Sequence, residues 1–215
     1  MKAEILSWAE GKGVAFRYKD ESLFMKLLGK LLFFNKAFMT RFTTTIGSTI
    51  YFPSRQWHAE KDAATLVSIV AHEVTHVMDN RRMGTVKYVY SYLSPQLNAL
   101  GALIALASIW AGAWWLLGLG FLAFAAPWGS KGRTDLEMRG YATSMAVAAW
   151  VGSPYASPPD WIVDQFTGPS YYFMCPNQQG VQDQLAVWIA KIEDDTILKE
   201  LEHLVEVKEI CMGQQ

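Results

Sequence analysis

The chain is poor in cysteine, in histidine and in net charge, and one long stretch has no charge at all. Cys175 and Cys211 are its only cysteines. Two thiols exclude a disulfide framework and any Cys-x-x-Cys metal site, and leave open at most a single bridge. Lysine and arginine nearly balance aspartate and glutamate, giving a formal net charge of −1. That balance excludes a general nucleic-acid surface, and no nucleic-acid partner is expected. Lys2, Glu4, Trp8, Glu10 and Lys12 break any apolar run at the start, so a cleavable signal peptide is not expected. No internal repeat is evident.

Of the four histidines, two stand in one short motif, Ala-His-Glu-Val-Thr-His at residues 71–76. On a helix His72 and His76 share a face, so both imidazoles can reach one zinc ion. Glu73 sits one position round, where its carboxylate can take a proton from a zinc-bound water. Leu66, Val67, Val70, Val74, Val77 and Met78 recur at helical spacing and predict a largely buried helix. Two histidines and a carboxylate on such a helix need partners.

A catalytic zinc site takes a third protein ligand and keeps its fourth position open. Glu137 is the best candidate, opening a second helix that runs through Tyr141 and Met145 to about Val151. Asp135 competes with it, and could equally be an N-terminal acid favoured by the helix dipole. Asp79, one turn beyond His76, suits an acceptor for a ligating imidazole better than a ligand. For an oxyanion donor the candidates are Tyr141, Tyr171, Tyr172 and His203, in that order. His203 reads as a plain surface histidine, and His58 as a capping or surface residue.

His72-Glu73-x-x-His76, the distant Glu137 and the strand-like Thr-Ile-Gly-Ser-Thr-Ile-Tyr-Phe-Pro at 45–53 together resemble a compact gluzincin metallopeptidase. The layout is similar to the HtpX-like membrane-embedded zinc peptidases, which also separate the two ligand helices with hydrophobic segments. A looser likeness is to small metallopeptidases encoded by bacteriophages. The resemblance covers about residues 40–152. It implies a zincin core with a strand at 48–52 lying at the sheet edge beside a substrate cleft. Thr75 departs from the pattern, standing where those enzymes usually carry Gly, and Tyr141 stands near their Ala-Asp pair.

No Asp, Glu, Lys or Arg occurs between Lys87 and Lys131. At about 20 residues per crossing, this stretch is just long enough for two membrane spans. Gly and Ala at close spacing suit tight helix contact in lipid, and Trp110, Trp114, Trp115 and Trp128 suit an interfacial belt. Arg81, Arg82 and Lys87 before it, with Lys131 and Arg133 after it, would put both ends and the metal site on the cytoplasmic side. The alternative is a helical hairpin buried against partners or within a large assembly.

Elsewhere, residues 21–34 predict an amphipathic helix with Phe24, Leu27, Leu28 and Leu31 aligned, suited to capping the core or lying on a membrane surface. Residues 152–180 predict a long loop, and helices are expected at 181–193 and 195–210. The fold expected is a single α+β, mainly helical domain over 1–215, with an inserted hydrophobic helical hairpin at 88–130 and C-terminal helices at 181–215. The function expected is a membrane-associated zinc endopeptidase acting on peptides or proteins, with Glu73 as base and Tyr141 assisting. The alternative is a structural or virion component that uses the hairpin for assembly or membrane contact.

Overall fold

The computed structural model describes residues 1–33, 35, 37–107 and 112–213. It is mainly helical, with one small three-stranded sheet. Helix α1 (Lys2–Gly11) leads into β1 (Ala15–Tyr18) and α2 (Leu23–Leu31). Strands β2 (Thr44–Ile46) and β3 (Thr49–Phe52) form a hairpin, turned by Gly47 at φ +61°. A tight two-residue turn needs a positive φ there, which glycine adopts without steric cost. The sheet order is β1-β3-β2, with β1 parallel and β2 antiparallel to β3. The single strand expected at 45–53 is therefore two, with 49–52 at the centre of the sheet and β2 at the edge opposite β1.

After α3 (Arg55–Glu60), helix α4 (Ala63–Met83) carries the His-Glu-x-x-His motif. Asp62 caps it, accepting from Thr65 N at 2.8 Å, and Gly84 ends it at φ +81°. Leu66, Val67, Val70, Val74 and Val77 are fully buried, as their spacing predicts, whereas Met78 is only partly buried; Ala71 joins the buried face. Their main partner is α6 (Lys131–Trp150), which buries Ala142, Met145 and Ala146. Ser130 caps α6, so that helix begins six residues before Glu137. Gly132 in its first turn allows the approach of Ser91, whose carbonyl oxygen lies 2.5 Å from where a Cβ would stand.

The two membrane spans expected of the uncharged stretch are not found in its described residues. Among the described residues no helix is long and apolar enough to cross a membrane. Its first part is α5 (Thr85–Leu93), which packs on α4 and α6. Two 3₁₀ segments follow, η1 (Gln96–Ala107) and η2 (Ala113–Ala125), each well short of the roughly 20 residues a span takes. They pack on one another through Gly101 against Phe121 and Gly118 against Ile104 and Ala105. Large apolar side chains such as Leu103, Trp114 and Leu117 stay exposed. Trp110 lies outside the described residues.

Beyond α6, the expected loop contains α7 (Asp160–Thr167), which buries Ile162, Val163 and Phe166, and a 3₁₀ turn, η3 (Pro169–Tyr171). Helix α8 (Gln178–Glu193) follows as expected, but the last predicted helix is split into α9 (Ile197–Glu200) and α10 (Leu204–Met212). Helix α2 buries only Met25 and leaves Phe24, Leu27 and Leu31 exposed, so its aligned apolar residues do not cap the core. Lys19, by contrast, is fully buried. Its Nζ donates to Phe38 O at 2.6 Å and Phe42 O at 2.7 Å, and lies 4.0 Å from the Phe38 ring centre. Cys175 and Cys211 are free thiols.

Candidate metal centre

Helices α4 and α6 bring together His72, His76 and Glu137, with one donor atom from each lying within 4.8 Å of the others. The two Nε2 atoms are 3.1 Å apart. Glu137 Oε2 is 3.7 Å from His72 Nε2, and Oε1 is 3.8 Å from His76 Nε2. Donors about 2.1 Å from a tetrahedral zinc stand about 3.4 Å apart, close to the separation of the two Nε2 atoms and of each from its nearer Glu137 oxygen. All three side chains are largely buried. Gly140, one turn after Glu137, makes the approach possible. A Cβ on it would meet His72 Nε2 at 2.6 Å.

The polar bookkeeping also fits a cation. His76 Nδ1 and Glu137 Oε2 are buried with no hydrogen-bond partner among the described residues. An orphaned carboxylate oxygen costs a few kcal/mol unless something positive meets it, and two facing imidazole nitrogens repel unless a proton or a metal lies between them. Burial opposes charge on Glu137, yet His76 and His72 beside it, with the Tyr92 hydroxyl, hold its carboxyl below the usual range. Burial pushes His76 down, keeping its lone pair free. Burial opposes charge on His72 too, but Glu137 overrides it and raises His72. A metal ion and a proton therefore compete for the His72 ring nitrogen.

Around these three residues lies a ring of partners. Tyr92 donates to Glu137 Oε1 at 2.5 Å. Burial, and then the Glu137 charge, raise the Tyr92 pKa well above its ordinary value, so it remains a donor at neutral pH. Ser144 Oγ lies 3.3 Å from His72 Nδ1. Glu73 is tied to the sheet edge by Thr45 on β2, whose hydroxyl donates to Oε2 at 2.6 Å. None of Tyr92, Ser144 and Thr45 was singled out by the sequence. Tyr92 had one signal, its spacing of four from Tyr88 on a helix; their rings stack 6.1 Å apart.

Other expected residues fall elsewhere. Asp135 is exposed and paired with Lys131 at 2.8 Å, so it does not compete with Glu137. Asp79 is buried but does not support an imidazole; it accepts from Arg139 Nε at 2.9 Å and 3.0 Å and from Arg82 at 3.1 Å. Tyr141 and Tyr171 line the same cavity as His72 and Glu73, with the Tyr141 ring 5.0 Å from that of His72. Burial raises the pKa of both hydroxyls. Tyr172 does not line that cavity, and its hydroxyl donates to Ala125 O. His203 is no surface histidine. Its Nε2 lies 2.9 Å from Thr75 Oγ1, and burial lowers its pKa to about 4. Thr75 also meets Thr143 at 3.0 Å, so this trio braces the two ligand helices away from the cavity. His58 stacks on Phe52 and bonds Tyr18, far from ligand duty.

The cavity beside Glu73 measures about 440 Å³ and runs between α4 and α6. The chain matches no protein-family model, no curated protein and no solved structure.

Proposed function

We propose that this chain is a zinc-dependent metallopeptidase with a zincin-like core of gluzincin type. The observation that carries the reading is the combination of three buried donors on α4 and α6 with an unligated glutamate beside them, facing a cavity. Two imidazoles and one carboxylate form a donor set that zinc takes in hydrolytic sites. A metal that only braced a fold would have no use for Glu73. The edge strand β2, which carries Thr45, further supports the reading, because an extended peptide can lie along such an edge.

Zinc held there supplies Lewis acidity, polarising a substrate carbonyl and lowering the pKa of water. Glu73 accepts the proton of the attacking water and later delivers it to the departing amine. Thr45 holds one oxygen of that carboxylate and so limits its rotation. Tyr141 and Tyr171, kept protonated by burial, are the donors for the developing oxyanion. Tyr92 and Ser144 orient Glu137 and His72, as outer partners of ligands do.

Elemental analysis of wild type and Glu73→Gln, paired with cleavage of a mixed peptide substrate, tests this. The expected result is one zinc per chain in both and hydrolysis in wild type alone, with a loss of at least about 100-fold in the variant. Zinc in both with hydrolysis in neither would assign the metal a bracing role. No zinc in metal-replete wild type would remove the site.

A further inference from the structure

The cavity beside Glu73 has a chemical character of its own. It extends from Glu73 back along α4 to Ala64, nine residues or about 14 Å of helix. Trp57, Ile69, Val151, Tyr155 and Trp161 contribute to its walls. Its volume lies within the roughly 300–1,000 Å³ of ligand pockets, far more than a small side chain fills. Apart from Glu73, its one charged carboxylate or guanidinium group is Arg41. Arg41 is exposed, and no carboxylate pairs with it among the described residues. An open, mainly apolar cleft with an unpaired guanidinium at its lining is complementary to a ring and an anion on one ligand.

We propose that this cleft selects peptides carrying a large aromatic side chain close to a carboxylate, with the ring between α4 and α6 and the carboxylate at Arg41. The peptide nature of the ligand rests on the peptidase reading; the aromatic-plus-anion preference rests on the cleft alone. The carboxylate has two possible sources, a free C-terminus or an adjacent acidic side chain.

Calorimetry on the intact, zinc-loaded Glu73→Gln chain separates these elements without turnover. The ligands are blocked tripeptides with central Trp or Ala, each as the C-terminal acid, as the amide, and as the amide with Asp following the central residue. Trp peptides are expected to bind roughly 30-fold more tightly than Ala peptides, from burial of the indole. A carboxylate should add about fivefold, and Arg41→Gln should abolish that increment. Whichever of the acid and Asp series shows it identifies the source. Adding Ala148→Phe, which fills the cleft from α6, should remove the Trp preference at unchanged zinc content. Ser68→Phe, from α4, does the same should the first variant fail to fold. Equal affinity for Trp and Ala, no binding of either, or a Trp preference surviving both filled variants would overturn the proposal. Loss of the carboxylate increment in neither series on Arg41→Gln would overturn the anion half. Wild type that cleaves peptides without regard to aromatic content sinks the cleft assignment and leaves the peptidase. Selective binding without cleavage does the reverse.

Discussion

Replacing Lys19 with methionine probes the least typical group in the core. The Lys19 ammonium is fully buried, held by two carbonyls and an aromatic face with no carboxylate in contact among the described residues. Burial lowers its pKa from 10.5 to about 8, against the weaker opposing pull of Glu73. Between those two values the unfolded chain binds more protons than the folded one, so this lysine makes stability rise with pH across that window. At about 1.4 kcal/mol per pH unit, most of the window is worth about 2–3 kcal/mol. The neutral amine still has two N–H groups for its two acceptors, so no hydrogen bond need be lost on deprotonation. Methionine removes the charge penalty but strands both carbonyls, at about 1–3 kcal/mol each. Near pH 7 these effects partly offset, and the variant should be only modestly less stable. By pH 10 the gap should have widened by about 2–3 kcal/mol. Urea denaturation followed by tryptophan fluorescence at several pH values measures it. The raised tyrosines affect both chains alike and drop out of the difference. Parallel stability curves for the two chains would refute the reasoning.

Tyr92→Phe deletes the donor to Glu137 and should weaken zinc binding about 10–100-fold in chelator competition; unchanged affinity would deny Tyr92 its role. Gly140→Ala drives a methyl against His72 Nε2, so the purified protein should lose its zinc while keeping its helical circular dichroism. Full zinc content there would mean that α4 and α6 can part without cost. Asp79→Asn leaves Arg139 facing an amide in a mostly buried setting, and should lower unfolding free energy by about 3 kcal/mol in urea. A shift below about 0.5 kcal/mol would show that solvent compensates the arginine.

Helix α4 is legible because its information is local: a run of apolar residues at helical spacing and two histidines four apart. Glu137 was found from residue type and rough placement, since nothing local distinguishes a ligand glutamate from a solvated one. Asp79 shows why that kind of guess fails. Its spacing from His76 suits an imidazole partner, but an arginine from α6 reached it first, and spacing on one helix says nothing about the charges on its neighbour. The stretch 88–130 misled for a different reason. Absence of charge measures how apolar a segment is, not how long its elements are, and the chain divides it into α5, η1 and η2. That reading also hid Tyr92, which lies on α5 and donates to Glu137. In the sheet, Gly47 carried the signal for a hairpin inside what looked like a single strand.

The route by which the chain enters and leaves its uncharged excursion has a practical meaning. The Gln96 side-chain amide donates to both Ala126 O and Trp128 O, and Arg133 clamps that same corner through Gln96 and the Tyr92 carbonyl. Entrance and exit therefore sit side by side. A short Gly-Ser bridge from Gln96 to Ala126 could therefore replace the excursion without moving Tyr92 from Glu137. The shortened chain would carry His72, His76 and Glu137 on a smaller, more hydrophilic body.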